Sequence, residues 1–394
     1  MIPSIIVVTF NRPHSLTRLL DFLNQSVYPT GENINLIISI DFQNSALHQQ
    51  VVEISKLFQW KFGEKVIIEH TYNLGLRKHV ITCGDLSEKY GSIIMLEDDL
   101  AISPFFYTYA QQALNYYQQD QNIAGISLYT HKKNFSNRMP FELIGDYSSD
   151  IYFLQIASSW GQAWTQSQWT GFRMWYDKGQ NITIQDKLPD PIRNWPESSW
   201  LKYFIKYLVS ENKYFVYPKV SLSTNFGDSG THNLESDTSY QVPLAYSWGE
   251  KYRFQLIKDS INIYDSFFEL DEDVFKKINP SLADKNFVVD LYGLKNLAIF
   301  DQEYAISNKA TAGEIVNSYG LELKPMPLNV ICVIKGNYFS LATKESFINN
   351  YSPANLKGIE WTYFFGKADF KNISKILFEK IFKKFSKVLR MNII

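Results

Sequence analysis

The sequence predicts an α/β fold in which a Rossmann-like, mixed and mostly parallel sheet is flanked by helices. From residue 1 to residue 120, short β-branched and apolar runs alternate with stretches whose apolar residues recur every three or four positions. Such alternation builds a parallel sheet with right-handed crossovers. Polar and charged residues follow several of these runs, and ligands of such sheets bind where the carboxyl ends of the strands meet.

The first strand, the first helix and the second strand have the clearest patterns. Ile5 to Val8 is a β-branched run that stops at the turn Asn11-Arg12-Pro13. The helix after it is predicted from leucines at helical spacing, namely Leu16, Leu19, Leu20 and Leu23. The second strand, residues 35–41, ends in Asp41.

The later elements repeat this order. The predicted elements are a helix at 49–58, a strand at 66–70, a helix at 76–89, a strand at 92–96 and a helix at 104–117. The chain then becomes mixed and Trp-rich, with a helix at 200–210 and a strand at 214–218. Two further strands are predicted at 288–292 and 328–334.

Composition excludes several classes of protein. The 394 residues are 45% hydrophobic and 20% charged, which excludes wholesale disorder. A net charge of -1 gives no global attraction to nucleic acid, and two Cys exclude a disulfide framework. No segment approaches the ~18 apolar residues of a membrane span, and the start lacks a signal-peptide pattern. We therefore expect a cytoplasmic protein without a nucleic-acid partner.

Three consecutive acids, Glu97, Asp98 and Asp99, follow the predicted strand at 92–96. Their mutual repulsion at a sheet edge needs compensation, which a divalent cation supplies. Mg²⁺ or Mn²⁺ takes oxygen ligands, and Mg²⁺ typically binds one or two carboxylates together with substrate phosphates. Alternatively, the acids lie at the start of the next helix, where the helix dipole favours negative charge.

Two cations and one more acid are predicted at the same sheet edge. Arg12 and Lys78 would neutralise phosphate oxygens, Arg12 bidentately and Lys78 as a point charge. A solvated helix face is the alternative for Lys78. Asp41 could accept hydrogen bonds from a uracil or a ribose, or it could cap the following helix.

Three motifs, in this order, resemble the nucleotide-sugar-binding half of GT-A glycosyltransferases. They are Val-Val-Thr-Phe-Asn-Arg-Pro at 7–13, Asn-Leu-Gly-Leu-Arg-Lys at 73–78 and Leu-Glu-Asp-Asp-Leu at 96–100. The chain is most similar in these motifs to bacterial sugar transferases related to N-acetylglucosaminyltransferase I, which carry a Glu-Asp-Asp version of the Asp-x-Asp motif. The resemblance implies the GT-A fold and a nucleotide-sugar donor.

The resemblance also implies roles for the charged residues. In that family the last Asp of the trio binds Mn²⁺, which matches Asp99, and its neighbours contact ribose and sugar, which matches Asp98 and Glu97. The Arg after the first strand and the Asp after the second hold the uridine diphosphate and the uracil, matching Arg12 and Asp41.

Further segments extend the likeness to about residue 233. Lys78 falls near a family position that contacts the nucleotide. The stretch 158–164 resembles a Trp-rich family segment, which implies acceptor-binding residues, namely Trp160, Gly161 and Trp164. Six of the 9 Trp lie between residues 160 and 200, where we expect the acceptor sugar to stack. A loop at 218–233 resembles one that ends in Thr-His, and its His232 could cover the diphosphate or ligate the metal.

One departure from the family pattern affects catalysis. Relatives carry an Asp at the start of the late helix as the general base, whereas this chain has Leu201. An inverting transfer needs a group that takes the proton from the acceptor hydroxyl. The nearest carboxylates are Glu197 and Asp228, of which we favour Glu197. The alternatives are that Glu197 is a helix-start acid with no catalytic task, or that catalysis is impaired.

The C-terminal segment, residues 367–394, is rich in Lys. Its apolar residues recur at intervals of three or four and so lie along one helix face, namely Phe370, Ile373, Leu377, Ile381, Phe385 and Val388. A basic amphipathic helix of this kind can lie on an anionic membrane surface. The alternative is a helix that docks on the protein's own core.

These patterns predict three parts. Residues 1–260 form a GT-A domain with a nucleotide-sugar-binding half (1–120) and an acceptor-binding half (121–260), followed by a domain of unknown role (261–366) and the basic helix (367–394). The predicted activity is an inverting sugar transfer that depends on Mn²⁺ or Mg²⁺. The donor is a nucleotide sugar, with UDP favoured, and the acceptor is a cell-surface polysaccharide or lipid-linked oligosaccharide. The expected location is cytoplasmic, with a peripheral position on the inner membrane face as an option.

Two other functions stay open at this point. A sugar nucleotidyltransferase would need a Gly-rich phosphate loop after the first strand, and Asn11 to His14 contains no Gly. A non-catalytic carbohydrate-binding or assembly protein is favoured by Leu201, but it has little use for the three acids at 97–99.

Overall fold

A computed structural model of the chain describes residues 1–228, 238–247, 251–348, 358–365 and 378. It contains two compact units, Met1–Asn349 and Asn350–Ile394. The predicted site residue His232 lies outside the described residues, and so does the predicted basic helix at 367–394 apart from Phe378. Among the described helices, none combines the length and the apolar character that crossing a membrane requires.

The described strands carry the labels β1 to β15. In chain order they are β1 (Ser4–Thr9), β2 (Leu36–Ile40), β3 (Lys65–Glu69), β4 (Ser92–Glu97), β5 (Leu100–Ile102), β6 (Ile123–Ser127), β7 (Ile151–Leu154), β8 (Gln162–Thr165), β9 (Tyr214–Pro218), β10 (Ser223–Asn225), β11 (Ile263–Tyr264), β12 (Phe287–Asp290), β13 (Tyr304–Ser307), β14 (Ile315–Tyr319) and β15 (Phe339–Thr343).

The described α-helices carry the labels α1 to α11. In chain order they are α1 (Pro13–Gln25), α2 (Ala46–Leu57), α3 (Leu76–Asp85), α4 (Ser87–Tyr90), α5 (Phe106–Tyr117), α6 (Gln166–Tyr176), α7 (Asp190–Arg193), α8 (Leu201–Ser210), α9 (Glu272–Ile278), α10 (Pro327–Ile331) and α11 (Gly358–Phe365). The last of these belongs to the second unit, and the others to the first.

A nine-stranded sheet organises the first unit, with the strand order β11-β7-β9-β6-β8-β4-β1-β2-β3. The four strands β4, β1, β2 and β3 run parallel, as right-handed crossovers through helices require. Strand β8 is antiparallel to both β4 and β6, while β9 is parallel to β6. The sheet is therefore mixed but mostly parallel and flanked by helices, which confirms the predicted fold class.

Helices cover both faces of this sheet. On one face, α1, α2 and α5 bury alternate strand residues such as Ile5 and Val7 in one hydrophobic core. On the other face, α3 contacts β1 and β4, and α6 contacts β6 and β8. Because side chains alternate along a strand, the residues between them, such as Ile6 and Met95, belong to this second face.

Aromatic side chains fill the second face. Trp164 of β8 and Trp169 of α6 are fully buried, with ring centroids 4.8 Å apart, and Phe204 of α8 stacks near Trp164 at 5.9 Å. Trp175 and Trp200 are also buried, at 8% and 2% exposure. The expectation that these rings stack on an acceptor sugar is thus corrected, because they pack against protein and leave no free face. The high aromatic content builds the core.

A smaller sheet follows in the first unit, with the strand order β12-β13-β15-β14. Strand β11, at residues 263–264, instead pairs with β7 at the end of the large sheet. The predicted strand at 328–334 is wrong, because residues 327–331 form helix α10. Pro327 starts this helix at a position that suits its fixed φ, and Asn329 accepts the backbone N–H groups of Glu322 and Leu323.

Gly84 of α3 makes the close contact between α3 and α6 possible. A Cβ atom at this position would lie 2.0 Å from a ring carbon of Trp169. We expect Gly84→Ala to destabilise the fold by about 2 kcal/mol despite the higher helix propensity of Ala, since the buried ring has no room to move. Urea unfolding measures this loss.

Gly145→Ala is the matched control, since a Cβ atom there would meet nothing within 4 Å. Its free energy of unfolding should stay within about 0.5 kcal/mol of the original value. Equal stability of the two variants would contradict this packing analysis.

Candidate functional site

The carboxyl ends of β1, β2 and β4 meet at one edge of the large sheet, because these strands are parallel neighbours. Val8 lies opposite Glu97 in this register. Arg12 follows β1, Asp41 follows β2, and Asp98 and Asp99 follow β4. The structure thus brings the predicted charged residues of three separate segments to one place.

Arg12 holds two of the three acids. Its guanidinium forms an ion pair with Asp98 and a second one, of 2.9 Å from Nη1 to Oδ2, with Asp99. The Thr9 hydroxyl donates to the Asp98 carboxylate at 2.7 Å, and the Asp98 backbone N–H donates to the Val8 carbonyl at 3.2 Å. These contacts fix the turn after β4 against the end of β1.

Burial governs the electrostatics of the acids. Asp98 is 1% exposed, and burial raises its pKa to about 6 although Arg12 and Thr9 oppose the shift. Burial, reinforced by the charge of Asp99, raises the pKa of Glu97 to about 8. Burial alone would lower the pKa of Arg12, but the negative charges of Asp98 and Asp99 raise it above its usual value. Full ionisation of the three acids is therefore unfavourable with Arg12 as their only described cationic partner, and a further positive charge would favour it.

The acids do not lie at the start of the next helix. Asp98 and Asp99 form a turn between β4 and β5, and α5 begins only at Phe106. The helix dipole therefore does not account for their position, and the alternative interpretation, that these acids start the next helix, is wrong.

The chemistry of these donors fits a divalent metal ion. Oδ1 of Asp99 is buried and has no hydrogen-bond partner among the described residues. The described part of the chain holds no group of three or more His, Cys, Asp or Glu side chains placed to bind a metal together. The carboxylates of Asp98 and Asp99 match Mg²⁺ or Mn²⁺ more than zinc, because Mg²⁺ and Mn²⁺ use one or two protein carboxylates and complete their coordination with phosphates and water.

Strand β10 connects the acids to helix α1. The backbone N–H of Phe226 donates to the Asp99 carbonyl at 3.0 Å, and the Arg18 guanidinium lies 3.9 Å from the centre of the Phe226 ring. Arg18 also pairs with Asp228, and the Ser15 hydroxyl donates to the same carboxylate at 2.9 Å. Although burial opposes the shift, these hydrogen bonds lower the pKa of Asp228. Asp228 thus serves as an anchor of its loop.

Asp41 closes the loop that precedes α3. Its buried carboxylate accepts the backbone N–H groups of Phe42, Leu74 and Gly75 at 2.8 to 3.0 Å. The Asp41 side chain thus joins β2 to the 73–75 segment and does not cap the following helix α2, whose first turn is capped by the Ser45 hydroxyl. Its predicted contact with uracil stays a prediction.

Two His residues beside Asp41 were not predicted as site residues. The Ser39 hydroxyl contacts Nε2 of His79 at 2.8 Å and Nε2 of His70 at 3.2 Å. Burial lowers the pKa of His79 to about 4, against the opposing charge of Asp41. His70 could have been found from its position at the end of a predicted strand. Nothing local in the sequence shows that His79 on α3 contacts the same Ser39 hydroxyl as His70.

Lys78 and Glu197 lie apart from the acids in the described contacts. Lys78 is exposed on α3, with its ammonium 5.4 Å from the centre of the Tyr72 ring. Glu197 is 73% exposed and contacts the ammonium of Lys202 at 2.7 Å. Hydrogen bonds from Lys202 and Tyr203 lower the pKa of Glu197. Its carboxylate is therefore charged and held at the start of α8.

The segment before β8 approaches the acids through β10. The Trp160 carbonyl accepts the Ser223 hydroxyl, and its half-buried ring lies 4.6 Å from that of Tyr129 and 5.4 Å from that of Tyr240. Gly161 has φ of +88°, a left-handed conformation that glycine adopts without strain. Of the predicted acceptor residues, Trp160 and Gly161 thus lie near β10, whereas Trp164 lies in the core.

Comparison with known proteins gives limited information. No family model and no curated protein matches the sequence. Among solved structures, S. aureus TarS 1-349 is similar with 15% identity and a TM-score of 0.33, over 55% of this chain and 60% of that chain. The mannosyltransferase PcManGT from Pyrobaculum calidifontis, in complex with GDP-Man and Mn²⁺, has 11% identity and a TM-score of 0.31, over 42% and 46%.

GalNAc-T7 with UDP, GalNAc and Mn²⁺ has 12% identity and a TM-score of 0.35, over 55% of this chain and 43% of that chain. The chain thus spans less than two thirds of the length of each of these three proteins. At these scores the similarities assign no family, and the fold description rests on the strand order given above.

The low pKa of His79 makes stability depend on pH. The His79 imidazole takes up a proton near pH 6.5 in the unfolded chain and near pH 4 in the folded chain. The contribution of neutral His79 to the free energy of unfolding is therefore fully present above about pH 6.5 and is lost as the pH falls toward 4. Between pH 7.5 and 4.5 we expect the original protein to lose on the order of 2 kcal/mol more than His79→Gln. Urea unfolding across this range measures the difference.

His14→Gln is the control, since His14 is exposed. It should keep the pH dependence of the original protein. If His79→Gln kept it too, His79 would not be buried in its neutral form.

Proposed function

We propose that this chain is a metal-dependent glycosyltransferase of the GT-A type that transfers a sugar from a nucleotide donor, with UDP favoured. The observation that carries the proposal is the set of acids that Arg12 holds at the carboxyl edge of the sheet, in which one buried oxygen of Asp99 is unpartnered.

Charge supports the proposal. Three acids and one Arg carry a formal charge of -2 when all are ionised, and buried charge without compensation is costly. A divalent cation offsets this charge, and Asp99 with Asp98 would hold it. Mn²⁺ or Mg²⁺, when bound, supplies Lewis-acid stabilisation of a departing diphosphate.

The protein's own groups have distinct tasks in this proposal. Arg12 is fixed by two carboxylates and presents a permanent positive charge next to the diphosphate position, so it stabilises the charge that develops on the leaving group. Thr9 and Asp98 keep this guanidinium oriented before the donor arrives. Asp41, which the resemblance assigns to the uracil, also fixes the loop at 73–75 that leads to Lys78, near which the resemblance implies a nucleotide contact.

The proposal for acceptor binding rests on two residues, Trp160 and Glu197. The half-buried ring of Trp160 near β10 supports a sugar-binding surface. Transfer with inversion needs a base, and we propose Glu197, which is ionised and oriented by Lys202 and Tyr203. A polysaccharide or lipid-linked oligosaccharide is the proposed acceptor class.

Removing the metal-binding carboxylate tests the proposal. We expect the protein to release nucleoside diphosphate from one of UDP-glucose, UDP-galactose, UDP-GlcNAc or UDP-GalNAc only when Mn²⁺ or Mg²⁺ is added. Asp99→Asn should lower this rate by about 10²-fold or more, because the buried oxygen then carries no charge. The measurement is a coupled assay of nucleoside diphosphate.

Asp259→Asn is the matched control, since Asp259 is exposed and lies in a different segment. It should keep the full rate. Turnover that persists in the presence of a chelator, or in Asp99→Asn, would refute metal dependence. Donor binding without any turnover would favour the carbohydrate-binding function.

Glu197→Gln tests the proposed base. It should lower transfer to octyl glycoside acceptors by 10² to 10⁴-fold, the usual effect of a general base, while calorimetric binding of UDP stays unchanged. Its melting temperature should fall, because the buried Lys202 ammonium loses its charged partner, and the unchanged UDP binding shows that the folded donor site is kept. Full transfer activity in Glu197→Gln would exclude Glu197 as the base and leave the donor site intact.

A further inference from the structure

Gln162 is a buried polar residue whose side chain has no partner. It is 1% exposed, and neither its Oε1 nor its Nε2 has a hydrogen-bond partner among the described residues. It opens β8, where it lies opposite Met95 of β4 and Ser127 of β6. The neighbouring Ser127 hydroxyl is engaged with the backbone of Tyr129. The Gln162 amide is therefore buried between β4 and β6 without a hydrogen bond to a described residue.

Strand geometry puts Gln162 on the same face as Glu97. Met95 and Gln162 are cross-strand partners and share a face, and Glu97 lies two residues after Met95 on that face. Diagonal neighbours of this kind have Cα atoms about 7–8 Å apart, within reach of two long side chains. An acid and an unpartnered amide thus lie side by side at the carboxyl edge.

This arrangement does not stabilise the fold. A buried amide without partners costs about 1–3 kcal/mol relative to a hydrogen-bonded one, and an apolar side chain of the same shape would avoid that cost. The contrast with Gln168 of α6 is informative, because its Oε1 accepts the Thr165 backbone N–H in a capping box. Hydrogen bonds to described residues therefore do not account for the polarity of Gln162.

We propose that Gln162 and Glu97 together bind hydroxyl groups of the sugar that is transferred. This inference rests on the proposed function. A hydroxyl both donates and accepts, and a primary amide offers the same pair of functions. The diphosphate does not fit this place, since an amide beside a carboxylate gives no positive charge and Arg12 lies with Asp98 and Asp99. For the same reason a neutral hexose fits better than a uronic acid.

Gln162→Met tests the inference, because Met keeps the shape and removes the amide. We measure binding of UDP and of UDP-glucose, UDP-galactose, UDP-GlcNAc and UDP-GalNAc by calorimetry with Mn²⁺, together with the melting temperature. The expected result is unchanged UDP binding, loss of the extra affinity that the best sugar nucleotide has over UDP, by about 10-fold or more, and an equal or higher melting temperature.

Gln168→Met is the matched control. It removes a buried amide whose Oε1 accepts the Thr165 backbone N–H at 3.0 Å, so it should lower the melting temperature and leave the preference for the sugar nucleotide over UDP unchanged. A merely structural Gln162 would behave like Gln168.

The outcomes separate the two proposals. If the original protein binds neither UDP nor any of the sugar nucleotides, the proposed function fails and this inference fails with it. If the original protein prefers a sugar nucleotide and Gln162→Met keeps that preference, or loses stability as Gln168→Met does, only the inference is overturned.

Discussion

The ion pairs of Arg12 with Asp98 and Asp99 are the interaction on which the rest of the site depends. They join the turn after β1 to the turn after β4, and they exist because these strands are parallel neighbours with Val8 opposite Glu97. Removing one partner of a buried ion pair typically costs 3–5 kcal/mol, since the other charge is left uncompensated. The same guanidinium thus holds the fold of the edge together and gives the site its permanent positive charge.

Other parts of the carboxyl edge are fixed by buried polar contacts of the same kind. Asp41 uses three backbone N–H groups to close the 73–75 loop, and β10 brings Phe226 and its anchored neighbours against Asp99. These contacts satisfy the protein's own groups. Oδ1 of Asp99 and the amide of Gln162 at this edge have no hydrogen-bond partner among the described residues, and these are the groups to which we assign ligands.

Local patterns predicted the elements but not their long-range arrangement. Strands β1, β2 and β4 follow from β-branched runs, and the acids at 97–99 were found because they follow such a run. The reversed direction of β8, by contrast, depends on pairing with strands distant in sequence. The burial of Trp164 follows from that pairing, so its predicted role did not agree with the structure. Helix α10 escaped prediction because Pro327 and Asn329 outweigh an apolar run typical of a strand.

The reversed strand β8 also has a consequence for how this protein can change. The Leu128 N–H, just after β6, donates to the Gly161 carbonyl, just before β8, at 2.9 Å. The chain therefore leaves the sheet and returns to it at neighbouring positions. Residues 129–160 therefore form an insertion whose two ends are adjacent in space. A different insert exchanged there would have to supply a strand between β9 and β11 in place of β7, and it would have to replace the hydrogen bonds of Thr130 with Ser221 and of Trp160 with Ser223. The segment is thus a separate insertion point in the sheet, apart from the turns after β1 and β4 that hold Arg12, Asp98 and Asp99.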